Sequence, residues 1–225
     1  MHRLCLFALM AVVSADVIFD GPCPTVKPKE NFDFSAYQGS WYEIARYPNA
    51  GEEGTRGKCT VAAYTVFGDS GKVRNSHVVD GIQSFIDGDL DLVGPAQVRL
   101  TYTFGGKSKY SYLTVLDTDY QNYAIGYSCK YFPDGNNHQG NVSICHIRNS
   151  MERPPKRRKN SAASQSVFSW IKSRSPTLDA YSRAIVDAYL KESTILDSDK
   201  YIANDFSPAA CQAGVVRQIT EFLKE

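Results

Sequence analysis

Six cysteines and four histidines are the side chains best suited to nucleophilic or metal chemistry in this 225-residue chain. Their spacing argues against both. No Cys-x-x-Cys pair and no His-spaced ligand pattern occurs, so no metal is expected. No Ser/His/Asp constellation and no carboxylate pair spaced for acid–base work stands out, so an enzyme is not expected. The cysteines read better as crosslinks. Cys5 falls in an N-terminal leader, which leaves Cys23, Cys59, Cys129, Cys145 and Cys211. Four of these suffice for two disulfides, and one is surplus.

The leader itself sets the compartment. His2 and Arg3 are followed by an apolar run from Leu4 to Val13 and by the small residues Ser14 and Ala15. That is the pattern of a secretory signal over residues 1–15, with the mature chain starting at Asp16. The run is far shorter than the roughly 20 residues a membrane-spanning helix needs, so no membrane span is expected. A net charge of +1 gives no bulk electrostatic case for nucleic acid or an anionic membrane. Residues 16–225 are expected to form one domain.

The elements that would position any site are strands. Residues 16–38 hold Pro22, Pro24 and Pro28, which keep an approach segment extended, then Phe32, Phe34 and Tyr37, suited to one helical turn closing one end. Alternating segments follow at 41–47, 58–67, 72–79, 82–93, 98–104, 109–116 and 123–130, separated by Gly-, Asp- and Pro-rich turns such as Gly105-Gly106. Seven strands with hairpin-length links predict an antiparallel meander that closes on itself. An eighth, at 167–173, arrives only after residues 140–165, which show no strand pattern. A helix is predicted to open at Ser175-Pro176, with Ser175 as cap and Pro176 in the first turn, Tyr181, Ala184, Ile185 and Ala188 inward and Arg183, Asp187 and Lys191 outward. Residues 195–203 read as extended.

Three segments carry a family resemblance: Gly39-Ser40-Trp41, Thr118-Asp119-Tyr120, and Arg174 before the final helix. Together and in this order they resemble the signature segments of the lipocalins, small secreted barrels that carry hydrophobic ligands. Further stretches resemble the insect bilin-binding and insecticyanin group of that family: Cys23 to Pro28, Asn31 to Phe34, Trp41 to Ala45, Asn122 to Tyr127 and Asn204 to Cys211. The resemblance implies an all-β fold with one C-terminal helix, an eight-stranded up-and-down antiparallel β-barrel. Gly39, Trp41, Thr118, Asp119, Tyr120 and Arg174 would form its closed end, with the guanidinium over the indole. It also implies disulfides Cys23–Cys129 and Cys59–Cys211, and an extracellular, haemolymph-like setting. Residues 140–165 and the tail after Cys211 have no counterpart. The former is expected to be an insertion, of the kind a retained intron would produce, since its removal restores a short hairpin; a genuine long loop at the barrel mouth is the alternative. It contains Cys145, the glycosylation-type triplet Asn141-Val142-Ser143 and the basic run 153–159.

The resemblance also selects which alternate residues face the cavity. Asn75, His77 and Val79 would point in from one strand and Ile86 from the next. Tyr102 and Phe104, Lys109 and Ser111, Ser128 and Lys130, and Phe168 and Trp170 would follow from the remaining four. The implied ligand is biliverdin, a linear tetrapyrrole bound without a covalent bond. Lys109 and Lys130 would meet its propionates, Asn75 and His77 its polar framework, and Tyr102, Phe168 and Trp170 its rings. Another small hydrophobic ligand (a retinoid, sterol, fatty acid or odorant) is the alternative cargo. A homo-oligomer remains open.

Overall fold

The computed structural model describes residues 16–133 and 163–220. The signal segment, Asn141, Cys145 and the basic run 153–159 therefore lie outside the described residues.

Among the described residues, eleven strands and two α-helices follow one another. β1 (Val17–Asp20) precedes β2 (Gly39–Arg46), β3 (Lys58–Phe67), β4 (Ser70–Val79), β5 (Ile82–Gly94) and β6 (Gln97–Phe104). Then come β7 (Lys107–Thr118), β8 (Tyr123–Phe132), β9 (Ser164–Ser173), α1 (Ala180–Glu192), β10 (Ile202–Ala203), α2 (Pro208–Cys211) and β11 (Val215–Gln218). From β2 to β9 each strand pairs antiparallel with the next, and β9 returns to β2 through Tyr42↔Ser173 and Arg46↔Trp170. The eight-stranded up-and-down barrel is thus closed. Tight turns make the meander possible. Asp80-Gly81 and Gly105-Gly106 have positive φ at both positions, the conformation that two-residue hairpins need and that glycine tolerates best.

Where neighbouring barrel strands part, short segments mend the exposed ladder. β1 takes Ser164–Val167 of β9, beyond the stretch that pairs with β2. β10 takes Ala45 and Arg46 of β2, beyond the stretch that pairs with β3. β11 runs parallel to Ile82–Phe85 of β5, beyond the stretch that pairs with β6. Unpaired N–H and C=O groups at a strand edge would otherwise invite association with another chain.

The core has two parts. Inside the barrel, Phe34, Tyr37, Trp41, Tyr64, Val73, Leu90 and Val98 fill the lower half. Outside it, Tyr47, Ile125, Tyr127 and Ile171 are covered by Leu178, Val186 and Leu196. The second cluster exists because α1 lies on the wall, and here the structure departs from the sequence reading. The helix starts at Ala180, capped by the Asp179 carboxylate, which accepts from the Tyr181 and Ser182 amides. Ser175-Pro176 stand outside it. The docked face is Ser182, Ile185, Val186 and Tyr189, whereas Tyr181 is 77% exposed and Ala184 and Ala188 face solvent. The docked face is thus shifted by one residue, about 100° of rotation, toward the stripe carrying Val186 and Tyr189. Arg183, Asp187 and Lys191 are exposed. Residues 195–203 are not continuously extended, because Ser198–Lys200 form a 3-10 turn.

Two disulfides, Cys23–Cys129 and Cys59–Cys211, tie the approach segment and the tail to barrel strands. Strand β9 begins three residues earlier than the sequence pattern suggests. Ser164 and Gln165, assigned above to the insertion, pair with Phe132 and Tyr131 of β8 and with Asp20 and Phe19 of β1. They belong to the barrel.

Candidate ligand cavity

The closed end is built from backbone constraint outward. Gly39 has φ +95°, and a Cβ there would lie 3.2 Å from an Arg174 guanidinium nitrogen. The missing side chain lets Arg174 lie flat, its guanidinium carbon 3.8 Å from the Trp41 ring centroid. The same guanidinium donates to the carbonyls of Tyr120 at 2.9 Å, Ser40 at 3.0 Å and Ala36 at 3.3 Å. It therefore sews three segments together. Trp41 is fully buried; its Nε1–H donates to the Tyr37 carbonyl at 2.8 Å and its ring stacks on Tyr37 at 5.0 Å. The turn after β7 is held by its own side chains. Thr118 Oγ1 donates to the Tyr123 carbonyl and accepts from the Tyr120 amide. Asp119 accepts from the amides of Gln121, Asn122 and Tyr123. Burial works to raise the Asp119 carboxyl, but the hydrogen bonds from Asn122 and these amides outweigh it and hold it below the usual carboxylate range.

The walls follow from register, since directly paired residues share a face. Trp41, inside the barrel, pairs with Ala62, Ala62 with Asn75, and Asn75 with Ile86. Leu90 pairs with Leu100 and Leu100 with Ser111, while Tyr102 pairs with Lys109. Val115 pairs with Gly126 and Gly126 with Trp170, Ser128 with Phe168, and Lys130 with Ser166. With the two-residue alternation of a strand, these pairings bring Asn75, His77, Ile86, Tyr102, Phe104, Lys109, Ser111, Lys130, Phe168 and Trp170 to one inner face. Their depth differs. Asn75 donates to the Tyr102 hydroxyl at 2.8 Å in the middle of the barrel, and burial pushes that phenol's pKa up. Phe168 stacks on Trp170 with centroids 6.3 Å apart. Lys109, Ser111 and Lys130 are exposed, at the open mouth.

The interior also holds charges that the alternation argument left out. Arg46, with no exposed surface, is 3.2 Å from Glu43 and 3.0 Å from Glu52, and donates to the carbonyls of Gly54 and Gly57. Glu52 comes from the loop between β2 and β3, and it also accepts from Trp170 Nε1 at 3.1 Å. Burial, together with the neighbouring Glu52, pushes the Glu43 carboxyl well above the usual range. Burial acts on Glu52 in the same sense, but the Arg46 charge together with hydrogen bonds from Glu43, Asn49 and Trp170 outweighs it, and the net shift is downward. Lys172, paired with Glu43 across β2 and β9, donates to the Tyr64 hydroxyl at 3.0 Å. Burial opposes its charge, but Tyr64, Tyr37 and Glu43 outweigh that and raise its pKa.

Among the buried polar atoms of the interior with no hydrogen-bond partner among the described residues are the Tyr37 hydroxyl, Thr60 Oγ1, His77 Nε2 and Ser166 Oγ. Groups of this kind are costly in a dry core and mark places where a guest can bond. His77 is 6% exposed, with Nε2 4.0 Å from a Glu53 carboxylate oxygen. Burial lowers its pKa, only partly countered by Glu52 and Glu53, so the imidazole is neutral at pH 7.

A closed eight-stranded barrel with a guanidinium-capped tryptophan at one end and a partly polar inner face at the other is the architecture of a small-ligand carrier. Residues 32–131 match the family model described as a lipocalin-like domain. Along 215 residues the chain is 40% identical to the bilin-binding protein of Pieris brassicae, covering 94% of this chain and 98% of that one. It is 36% identical over 230 residues to insecticyanin-B of Manduca sexta, with 98% of each chain covered. The solved structure of insecticyanin from Manduca sexta superposes with a TM-score of 0.74 at 34% identity, covering 92% of this chain and 97% of that one. The chain belongs to the lipocalin family.

Proposed function

We propose that this chain is a secreted carrier that holds biliverdin non-covalently in the barrel, for pigment transport or coloration. The observation that carries the reading is the gradient along the inner face. Apolar and aromatic side chains fill the depth, and hydrogen-bonding aromatic groups line the middle around Asn75 and Tyr102. Cationic side chains stand at the exposed mouth. An amphipathic conjugated molecule with two propionates matches that order: rings against Tyr102, Phe168 and Trp170, and carboxylates toward Lys109 and Lys130. The orphaned atoms of His77, Thr60 and Ser166 suit the polar edge of its pyrrole and lactam groups. The relatives named for bilin binding or as insecticyanins support this over a purely apolar cargo.

The reading is of a carrier, not an enzyme. Cys59 and Cys129, the thiols nearest the walls, are consumed in disulfides. Secretion rests on the leader at residues 1–15 and fits the crosslinks. Among the described residues no helix is long and apolar enough to cross a membrane. Titrating biliverdin into the recombinant mature chain tests the reading. The expected result is saturation at one pigment per chain, with Trp170 fluorescence quenched. Saturation by a retinoid, sterol, fatty acid or odorant, with no response to biliverdin, would overturn it.

A further inference from the structure

The tail beyond Cys211 is built into the barrel. The Gly214 amide donates to the Gly81 carbonyl at 2.9 Å, and the Ile219 amide to the Phe85 carbonyl at 2.8 Å. Between them β11 runs parallel to Ile82–Phe85. One side of β5 is occupied by β4 from Ile82 to Asp91, so β11 must lie on the other side, the one β6 uses. β6 pairs with β5 only from Asp89 onward. The tail therefore fills the gap at the open end where β6 parts from β5.

Register then fixes which tail residues look inward. Val215 pairs with Ile82, and Arg217 with Ser84; Ser84 pairs in turn with His77. His77, Ser84 and Arg217 form one row across three strands, on the inner face. Arg217 Nη2 lies 3.4 Å from Ser84 Oγ. The charge reaches the interior: Arg46 and Arg217 both add to the burial that lowers the His77 pKa. Arg217 is nevertheless exposed, and no carboxylate among the described residues lies within ion-pair distance of it. A planar, always-charged fork held by a backbone ladder at a cavity mouth is suited to a carboxylate.

We propose that Arg217 is a ligand-binding residue: β11 presents its guanidinium to a carboxylate of the bound ligand, from the β5 side of the mouth. Lys109 and Lys130 approach from β7 and β8, so a ligand with two acidic groups would meet cations on both sides. This inference rests on the reading of the chain as a carrier of an acidic tetrapyrrole.

The test compares biliverdin with its dimethyl ester on four proteins: the mature chain, Arg217→Gln, Arg217→Lys and a chain ending at Gln212. Losing one charge-assisted contact predicts about tenfold weaker biliverdin binding for Arg217→Gln and for the truncated chain. Arg217→Lys should recover part of it, and the ester should bind all four proteins alike. Equal biliverdin affinity in the mature chain and Arg217→Gln would overturn the inference while leaving the carrier reading intact. So would equal loss of acid and ester, which would assign Arg217 to docking the tail. A mature chain that binds neither compound would overturn the carrier reading and this inference with it.

Discussion

Arg174→Ala should destabilise the barrel without touching the ligand mouth. The guanidinium makes two good hydrogen bonds, to Tyr120 at 2.9 Å and Ser40 at 3.0 Å, and two long ones, to Ala36 at 3.3 Å and Tyr37 at 3.5 Å. A hydrogen bond from a charged donor contributes roughly 1.5–3 kcal/mol. The group is partly exposed, so only the low end of that range applies to the two short bonds, and the long pair is counted as nothing. The contact over Trp41 adds about 0.5–1 kcal/mol for a partly hydrated cation. The expected loss is then about 3.5–4 kcal/mol. Arg174→Lys keeps the charge but not the fork, and should lose about half as much. Urea denaturation under oxidising conditions reads this as a lower midpoint at unchanged slope. A loss below about 1 kcal/mol would refute the idea that Arg174 binds the approach segment, β2 and the β7–β8 turn together. Weaker pigment binding by the folded variant would refute the separation of closed end from ligand end.

Three further outcomes follow from the geometry. A Cβ at Gly88 would sit 2.7 Å from Tyr102 Cε1, so Gly88→Ala must displace the ring that Asn75 holds. It should cost about 1–3 kcal/mol in denaturation and weaken pigment binding, and wild-type values for both would contradict the inner-face assignment. The His77 pKa is depressed on folding, so below its unfolded value of about 6.5 the unfolded chain binds more protons than the folded one. Stability should hold above that pH and fall as the pH drops below it; His77→Gln should flatten the fall, and an unchanged pH profile would show His77 to be solvated. Opening the Cys59–Cys211 link by Cys59→Ser with Cys211→Ser frees a span of 152 residues and should lower stability by roughly 3–5 kcal/mol. Unchanged thermal melting would show that the tail is held by its strand pairing alone.

Strand number and order were legible because a strand repeats every two residues and the turns carry their own chemistry, while the choice of inward-facing set came from the family resemblance. Once Trp41 is placed inside, the alternation reaches Glu43, and from Trp170 it reaches Lys172. Both interior charges were thus open to a stricter reading. Arg46 was not, because the register shifts between Glu43 and Ala45 and an arginine that parity points outward turns inward. The helix face was misjudged because two neighbouring stripes of the helix are apolar, and the one carrying Ile185, Val186 and Tyr189 is the one that packs on the wall. Glu52 lies in a loop, where no periodicity applies. Arg217 could not be found from pattern either, since a four-residue strand after a disulfide has no inside until a partner strand defines one.

The central claim is that the open end of this barrel holds an acidic linear tetrapyrrole. The most direct measurement is the absorption spectrum of the protein purified from its native fluid, followed by extraction of the ligand under denaturing conditions. The account predicts a blue protein with a strong red absorption band, and biliverdin released without chemical cleavage. A colourless protein that releases a different small hydrophobic molecule would contradict it.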